Sequence, residues 1–259
     1  MEVIGFTLEG RFGFFKKPDV NTYLYFTYGN IHKVALIGIL GAILGYKGYN
    51  RMSFSKKYAQ DFKGLIENNQ RCYPEFYEKL NHLKAAIIPK EVNINKKVQV
   101  FNNSVGYACK EQGGNLVIKE QWLENPSWNI YIVIEDEESK ELSKALIDKD
   151  FVYIPYLGKN DHLADIKDIH IISEIKETNK FYTIDSMFIK DDFEITERDN
   201  FDDLEEEIPI FKYEEKLPIS LDKITNKYEM RNFVYTNAVL RKKTNISVYD
   251  IRGKNIVFI

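Results

Sequence analysis

Three observations in the 259-residue sequence predict an α+β fold. Two segments have alternating apolar residues, an apolar helical run comes soon after the first, and an amphipathic helix comes directly after the second. The order strand, helix, strand, insertion, strand, helix, strand is the ferredoxin-like split βαβ arrangement, which the RNA recognition motif shares. A turn-rich, β-rich stretch follows it. We therefore expect a ferredoxin-like unit over residues 1–178 with a hairpin inserted at about 93–122, and a smaller β-rich lobe over residues 179–259. Many activities are built on this fold, so it leaves function open.

Each element has its own signal. In EVIGFTLEG, Ile4, Phe6 and Leu8 share one face and Gly5, Thr7 and Glu9 the other, as in a strand with one buried side. The next segment, RFGFFKKPDVNTYLYFTYGN, mixes aromatic and basic residues, and Pro18 and Gly29 act against regular structure, so it reads as a functional loop. Residues Lys33 to Lys47 predict a helix, with Asn30 as its cap and Gly45 and Gly48 near its end. Its apolar run, VALIGILGAILGY, is well short of the ~20 residues a helix needs to cross a bilayer. Gly38, Gly41 and Gly45 lie on one stripe of that helix. Each mid-helix glycine costs up to ~1 kcal/mol relative to alanine, so a strand, another helix or a ligand backbone must approach closely enough to offset it.

Met52 to Ala59 is the second predicted strand. Pro74 to Ala86 predicts an amphipathic helix with Phe76, Leu80 and Leu83 on one side, ended by Pro89. The runs KKVQVF and NLVIKEQW, separated by Gly106 and the Gly113–Gly114 pair, predict a protruding hairpin. WNIYIVIE places Trp128, Ile130, Ile132 and Ile134 on one face. A helix over Ser139 to Lys149 follows, with Leu142, Ala145 and Leu146 as its stripe and the acidic stretch from Glu135 to Glu138 at its positive end. A last strand is expected over Asp168 to Ile175, with Ile169 and Ile171 inward. Beyond Asn179 come an acidic tract from Asp191 to Glu207 and apolar runs at FVYTNAVL, ISVYDI and NIVFI.

Composition narrows the classes. The chain is 44% apolar and 29% charged, enough for a buried core. Its only cysteines, Cys72 and Cys109, form no CxxC pair, and His32, His82, His162 and His170 do not complete a zinc spacing. We expect a reducing, cytoplasmic setting with no structural metal. Because Met1 leads straight into a strand-like stretch, neither secretion nor membrane insertion is expected. GxGxxG, GxxxxGK[ST] and HExxH are all absent, so no cofactor is expected. The pairs Asp191–Asp192 and Asp202–Asp203 could hold Mg²⁺, although adjacent carboxylates in a polar tract are usually a solvated face. His170 reads as a structural imidazole within a strand, and His82 sits on the polar side of a helix. His32 and His162 lie on loops near basic residues, where either could meet a phosphate.

The net charge of −3 hides an asymmetry. Residues 1–122 carry 17 basic against 10 acidic side chains, and residues 123–259 carry 19 against 29. Such a split suits a polyanion on one side and a protein surface on the other, or simply two solvated surfaces of different composition. Phe12, Phe14, Phe15, Lys16, Lys17, Tyr23 and Tyr25 interleave stacking faces with ammonium groups, and Lys96 and Lys97 open the hairpin. Single-stranded RNA suits this mixture, because stacking is worth roughly 1 to 3 kcal/mol per base and each lysine adds a salt-sensitive phosphate contact. The plainer alternative has the phenylalanines filling the core and only the lysines facing water.

Five stretches, RFGFFKKPDVN, ALIGILGAILGYKG, WLENPSWNIYI, YIPYLGKNDHLADI and LPISLD, together make the chain similar to the fifth CRISPR-associated (Cas) protein family. It most resembles the type I-B form, a RAMP-superfamily subunit of the Cascade surveillance complex. The resemblance implies a modified RNA recognition motif fold with a thumb-like hairpin that caps the 5′ handle of the CRISPR RNA (crRNA). It also implies contacts with a backbone subunit and a large subunit, and only indirect contact with target DNA.

Carried over by motif, Phe15, Lys16, Lys17 and Asn21 are candidate handle contacts, and Tyr156, Gly158 and Lys159 form a second group. Gly38, Gly41 and Gly45 would lie under the RNA path, and Lys96 and Lys97 follow from position and charge on the thumb. Type I-C relatives cut precursor RNA without metal, using a tyrosine, a lysine and a histidine. Tyr46 or Tyr49 with Lys110 could supply part of that set, but the region from Asn93 to Trp122 has no histidine. The expectation is therefore a binding subunit without catalytic residues. The alternatives are an endoribonuclease that processes precursor crRNA and a protein-interaction module without RNA.

Overall fold

In the computed structural model the described residues are 1–19, 22–49, 73–103, 106, 110–112, 114, 116–196 and 209–259. Strand β1 (Glu2–Gly10) lies inside a four-stranded antiparallel sheet, between β6 (Ser127–Ile134) and β7 (Ala164–Ile172), with β3 (Ala85–Pro89) on the far side of β6. On one face Ile4, Phe6, Leu8, Ile87, Trp128, Ile130 and Ile132 join the main core, together with Leu36 and Leu40 of α1 (Lys33–Ile43) and Leu142 and Leu146 of α3 (Glu137–Asp148). β1 was expected to bury one side only, but it is covered on both. Val3, Ala86, Ile88, Tyr131, Val133 and Ile172 pack beneath Ile251 of β14 (Val248–Ile251) and Ile256 of β15 (Lys254–Ile256).

Several boundaries differ from the sequence expectation, each for a local reason. Helix α1 stops at Ile43 because Leu44 caps it and Gly45 turns left-handed at φ +76°. Its N-cap is His32, whose Nδ1 accepts the Ala35 amide at 3.2 Å. Asn30, the expected cap, instead accepts the buried Trp128 indole N–H at 2.9 Å. The close approach to the glycine stripe comes from α2 (Glu75–Leu80): a Cβ on Gly41 would fall 2.5 Å from that of Phe76.

The helix expected to reach Ala86 ends at Leu80, and Ala85–Pro89 is strand β3, buried along its whole length against β6. The last strand of the sheet runs over Ala164–Ile172 instead of 168–175. Asp168, at φ 53°, marks a bulge opposite β1, so Ile166 is buried while Ile171 is 39% exposed. Helix α3 begins on an Asp136–Ser139 capping box. The strand expected at Met52 to Ala59 lies outside the described residues.

A second antiparallel unit stands beside this sheet. Strands β4 (Lys96–Asn102) and β5 (Val117–Glu124) form a hairpin, and β2 (Phe12–Gly13) pairs with the other edge of β5. Further along the chain, β9 (Ile184–Ile189), β11 (Lys212–Leu221) and β12 (Tyr228–Thr236) make a three-stranded sheet. β8 (Lys176–Thr178) pairs with β14, and β10 (Phe193–Ile195) with β13 (Leu240–Lys242). Of the acidic tract, residues 197–207 lie outside the described residues; Asp192 accepts a hydrogen bond from Thr244. Among the described residues, no helix is long and apolar enough to cross a membrane.

Candidate nucleic-acid interface

Three segments far apart in sequence meet at the hairpin base. The loop after β2 folds back on itself: Tyr28 N–H donates to the Phe15 carbonyl at 2.8 Å, Lys17 N–H to that of Phe26 at 2.8 Å, and Phe15 N–H to the Thr27 hydroxyl at 3.0 Å. Tyr25 then docks on β5, donating to the Lys119 carbonyl at 2.9 Å and accepting from Gln121 N–H at 2.8 Å. From the other side the loop carrying Leu157 joins, as Phe14 N–H donates to the Leu157 carbonyl at 2.9 Å. Most of the residues singled out from the sequence therefore share one region.

Their side chains divide into two kinds. The Lys16 ammonium sits 4.0 Å from the Tyr25 ring centre, and that of Lys97 lies 3.9 Å from Phe12 and 5.6 Å from Trp122. Neither forms an ion pair within the described residues, so each keeps its charge available beside an aromatic face. Lys96, also without an ion pair among them, is exposed as a residue. Even so, protein packed around its ammonium holds it below the usual lysine range; Glu215 pulls the other way and Lys17 adds to the shift.

Two other lysines are already engaged. Lys17 pairs with Glu215 at 2.6 Å, and the same carboxylate accepts Gly29 N–H at 2.7 Å and the Tyr213 hydroxyl. Burial and that neighbouring carboxylate push the Tyr213 phenol far above its ordinary range. Lys159 pairs with Glu120 at 2.8 Å, and Glu120 Oε2 also accepts the Trp122 indole N–H at 2.7 Å.

Of the remaining candidates, the Phe15 side chain is in the core, 4% exposed, against His32 and Trp128. The exposed rings near this region belong to Tyr23, Phe26 and Tyr156. Gly158 approaches the chain's own backbone: at φ +84°, a Cβ there would lie 2.0 Å from the Phe14 carbonyl oxygen. Asn21 lies outside the described residues.

The histidines fall into four environments. His32 is buried, and desolvation lowers its pKa to about 3, so it caps α1 as a neutral ring. The His82 ring pairs with Asp136 at 2.7 Å. With Glu138 these two form the one candidate metal cluster among the described residues, but Asp136 also caps α3 and Glu138 pairs with Lys79. His170 Nδ1 contacts the Asp168 carbonyl at 2.6 Å. His162 is 3% exposed, edge-on to Trp122 with ring centres 4.5 Å apart, and neither ring nitrogen has a hydrogen-bond partner among the described residues. Tyr46, weighed for a cleavage site, donates to Glu141 at 3.1 Å, and burial with that carboxylate pushes its pKa up to about 12.

Sequence reasoning passed over Glu120, Trp122 and Glu215. The alternation of NLVIKEQW places Glu120 and Trp122 on one face of β5, so a signal for those two was present. Nothing local marks Glu215, which is 198 residues from its partner Lys17.

No protein-family model and no curated protein matches the sequence. Solved structures do. A chain of a structure described as a CRISPR RNA-guided surveillance complex aligns over 93% of this chain and 91% of its own length, with 12% identity and a TM-score of 0.51. A CRISPR protein from Archaeoglobus fulgidus aligns over 100% and 98%, with 11% identity and a TM-score of 0.48. A chain from a type III-B Cmr-beta structure bound to cognate target RNA and AMPPnP covers 93% and 86%, with 13% identity and a TM-score of 0.44. At 12% identity the likeness to the chain of the surveillance complex is one of fold.

Proposed function

We infer that this chain is a non-catalytic RNA-binding subunit of a CRISPR–Cas effector, of the type I-B Cascade kind. In this reading the four-stranded sheet with α1 and α3 is the ferredoxin-like unit, and the β4–β5 hairpin is its thumb. Single-stranded crRNA runs across the hairpin base with its 5′ handle held there, while other faces meet a backbone subunit and a large subunit. The observation that carries the reading is the meeting of the loop after β2, the hairpin and the Leu157 loop. Two ammonium groups without an ion pair among the described residues, those of Lys16 and Lys97, lie there within about 4 Å of aromatic rings. That pairing of cation and ring suits a phosphate beside a stacked base. The fold shared with a chain of an RNA-guided surveillance complex agrees with it.

The test is fluorescence anisotropy with a labelled repeat-derived 5′ handle RNA, titrated at several salt concentrations. Binding is expected, and Lys16→Met or Lys97→Met should each reduce the slope of log affinity against log salt by about 1. Failure to bind this RNA, alone and within the assembled particle, would refute the proposal. A specific cleavage product from repeat RNA in EDTA would favour the endoribonuclease instead.

A further inference from the structure

Between the hairpin and the loop after α3, one carboxylate holds the place that an anion would take. Glu120 is 7% exposed as a residue, and its Oε2 accepts both the Lys159 ammonium and the Trp122 indole N–H. The same ammonium lies 4.9 Å from the Phe101 ring centre and 5.2 Å from that of Trp122. Lys97 approaches the same group of rings from β4. Two donors and a set of rings therefore converge on one anionic oxygen.

His162 lies against this arrangement, facing Trp122 and Phe12. Its two ring nitrogens are buried without partners among the described residues, although an unpaired buried polar group costs about 1 to 3 kcal/mol. The charged groups around it are Lys97 on β4, Glu120 on β5, and Lys159 and Asp161 on its own loop. A ring with both nitrogens unused, next to a pair of engaged donors, is a site short of one ligand.

We propose that Lys159, Trp122 and His162 form a phosphate subsite for single-stranded RNA, which Glu120 fills in the free chain. This rests on the RNA-binding reading above. On binding, an RNA phosphate replaces the Glu120 carboxylate at Lys159 and at the Trp122 indole, the loop from Leu157 to His162 shifts, and a His162 nitrogen gains its partner from the nucleotide. Glu120 thus acts as a competitor that weakens RNA binding, and His162 as a contact hidden until RNA arrives.

The experiment compares handle-RNA binding by the wild type, Glu120→Gln, Lys159→Met, the double variant and His162→Phe. Glutamine keeps an acceptor for Trp122 but removes the competing charge. Glu120→Gln should tighten binding by about threefold and raise the salt slope by up to about 1, roughly the effect of one phosphate contact. In the Lys159→Met background the same change should have no effect. His162→Phe retains a ring and leaves no buried nitrogen unpaired, so it should weaken RNA binding without lowering the unfolding midpoint in urea. If the wild type binds but Glu120→Gln does not tighten it, or tightens it equally without Lys159, the subsite is refuted while the RNA-binding reading stands. Unchanged affinity in His162→Phe removes His162 from it, overturning the proposal as stated. If the wild type does not bind at all, both fall.

Discussion

Replacing Gly158 by alanine should show how tightly the Leu157 loop is seated on the loop after β2. At φ +84° any residue with a Cβ is disfavoured, at a cost of about 1 to 2 kcal/mol. The new methyl would also sit 2.0 Å from the Phe14 carbonyl oxygen and 2.7 Å from its carbon. Because those atoms are backbone, no rotamer relieves the overlap, and the loop must lift by more than an ångström. Lifting strains the Phe14 to Leu157 hydrogen bond, worth about 1 kcal/mol, and disturbs the fully buried Leu157 side chain. The total loss should reach about 3 kcal/mol or more.

Gly253 provides the comparison. Its φ is nearly the same, +79°, but among the described residues a Cβ there would meet nothing within 4 Å. Gly253→Ala should therefore cost only the conformational part, about 1 to 2 kcal/mol. Urea unfolding curves of the two variants, with slopes checked for equality, measure the difference. A difference smaller than about 0.5 kcal/mol would show that the loop is not seated on Phe14, and the argued convergence of segments would lose one of its three parts.

Three further outcomes are expected. Glu215→Gln should destabilise the chain, and a double-mutant cycle with Lys17→Met should give a coupling of about 1 kcal/mol, kept modest because the lysine is about a third exposed. His32 is neutral in the fold, with its pKa lowered from 6.5 to about 3, so the unfolded chain binds the extra proton. Stability should thus fall as pH drops below 6.5, by about 1 to 2 kcal/mol down to pH 5, and His32→Asn, which keeps an N-cap acceptor, should flatten that part of the curve. Trp128→Phe removes the donor to Asn30 inside the core and should cost about 2 to 3 kcal/mol by urea unfolding, with a loss under 1 kcal/mol counting against that hydrogen bond.

Legibility in the sequence followed burial geometry. α3 has a wet side and a dry side, and in β6 the large apolar residues Trp128, Ile130, Ile132 and Ile134 recur at every second position, so spacing announced both, although β6 is covered on both faces. β3 did not announce itself. Ala85, Ala86, Ile87 and Ile88 are buried whichever way they point, which removes alternation and lets LKAAII read as more of the helix before it. The bulge at Asp168 misled in the other direction, shifting the inward positions of β7 without a glycine or proline to signal it.

Where the loop after β2 meets the hairpin, the lysines and rings were visible because interleaved basic and aromatic residues are a local signature. Their internal partners were not: Glu120 and Glu215 silence Lys159 and Lys17 through contacts that exist only after folding. Charge counting sees ammonium groups but not which of them already has a carboxylate. For the same reason Phe15, adjacent to Lys16 in the motif, is a core residue, since one step along an extended chain reverses a side chain's direction.

The double cover on the central sheet bears on how this chain can be shortened. Ile251 and Ile256 roof the outer side of a sheet whose strands all precede residue 178, and β8 at 176–178 finds its mate in β14. A fragment cut after residue 178 would bare six apolar side chains, Val3, Ala86, Ile88, Tyr131, Val133 and Ile172, as one flat greasy plateau. Such a plateau promotes self-association. Trimming from the C-terminal side would therefore yield clumped material and not a smaller soluble unit.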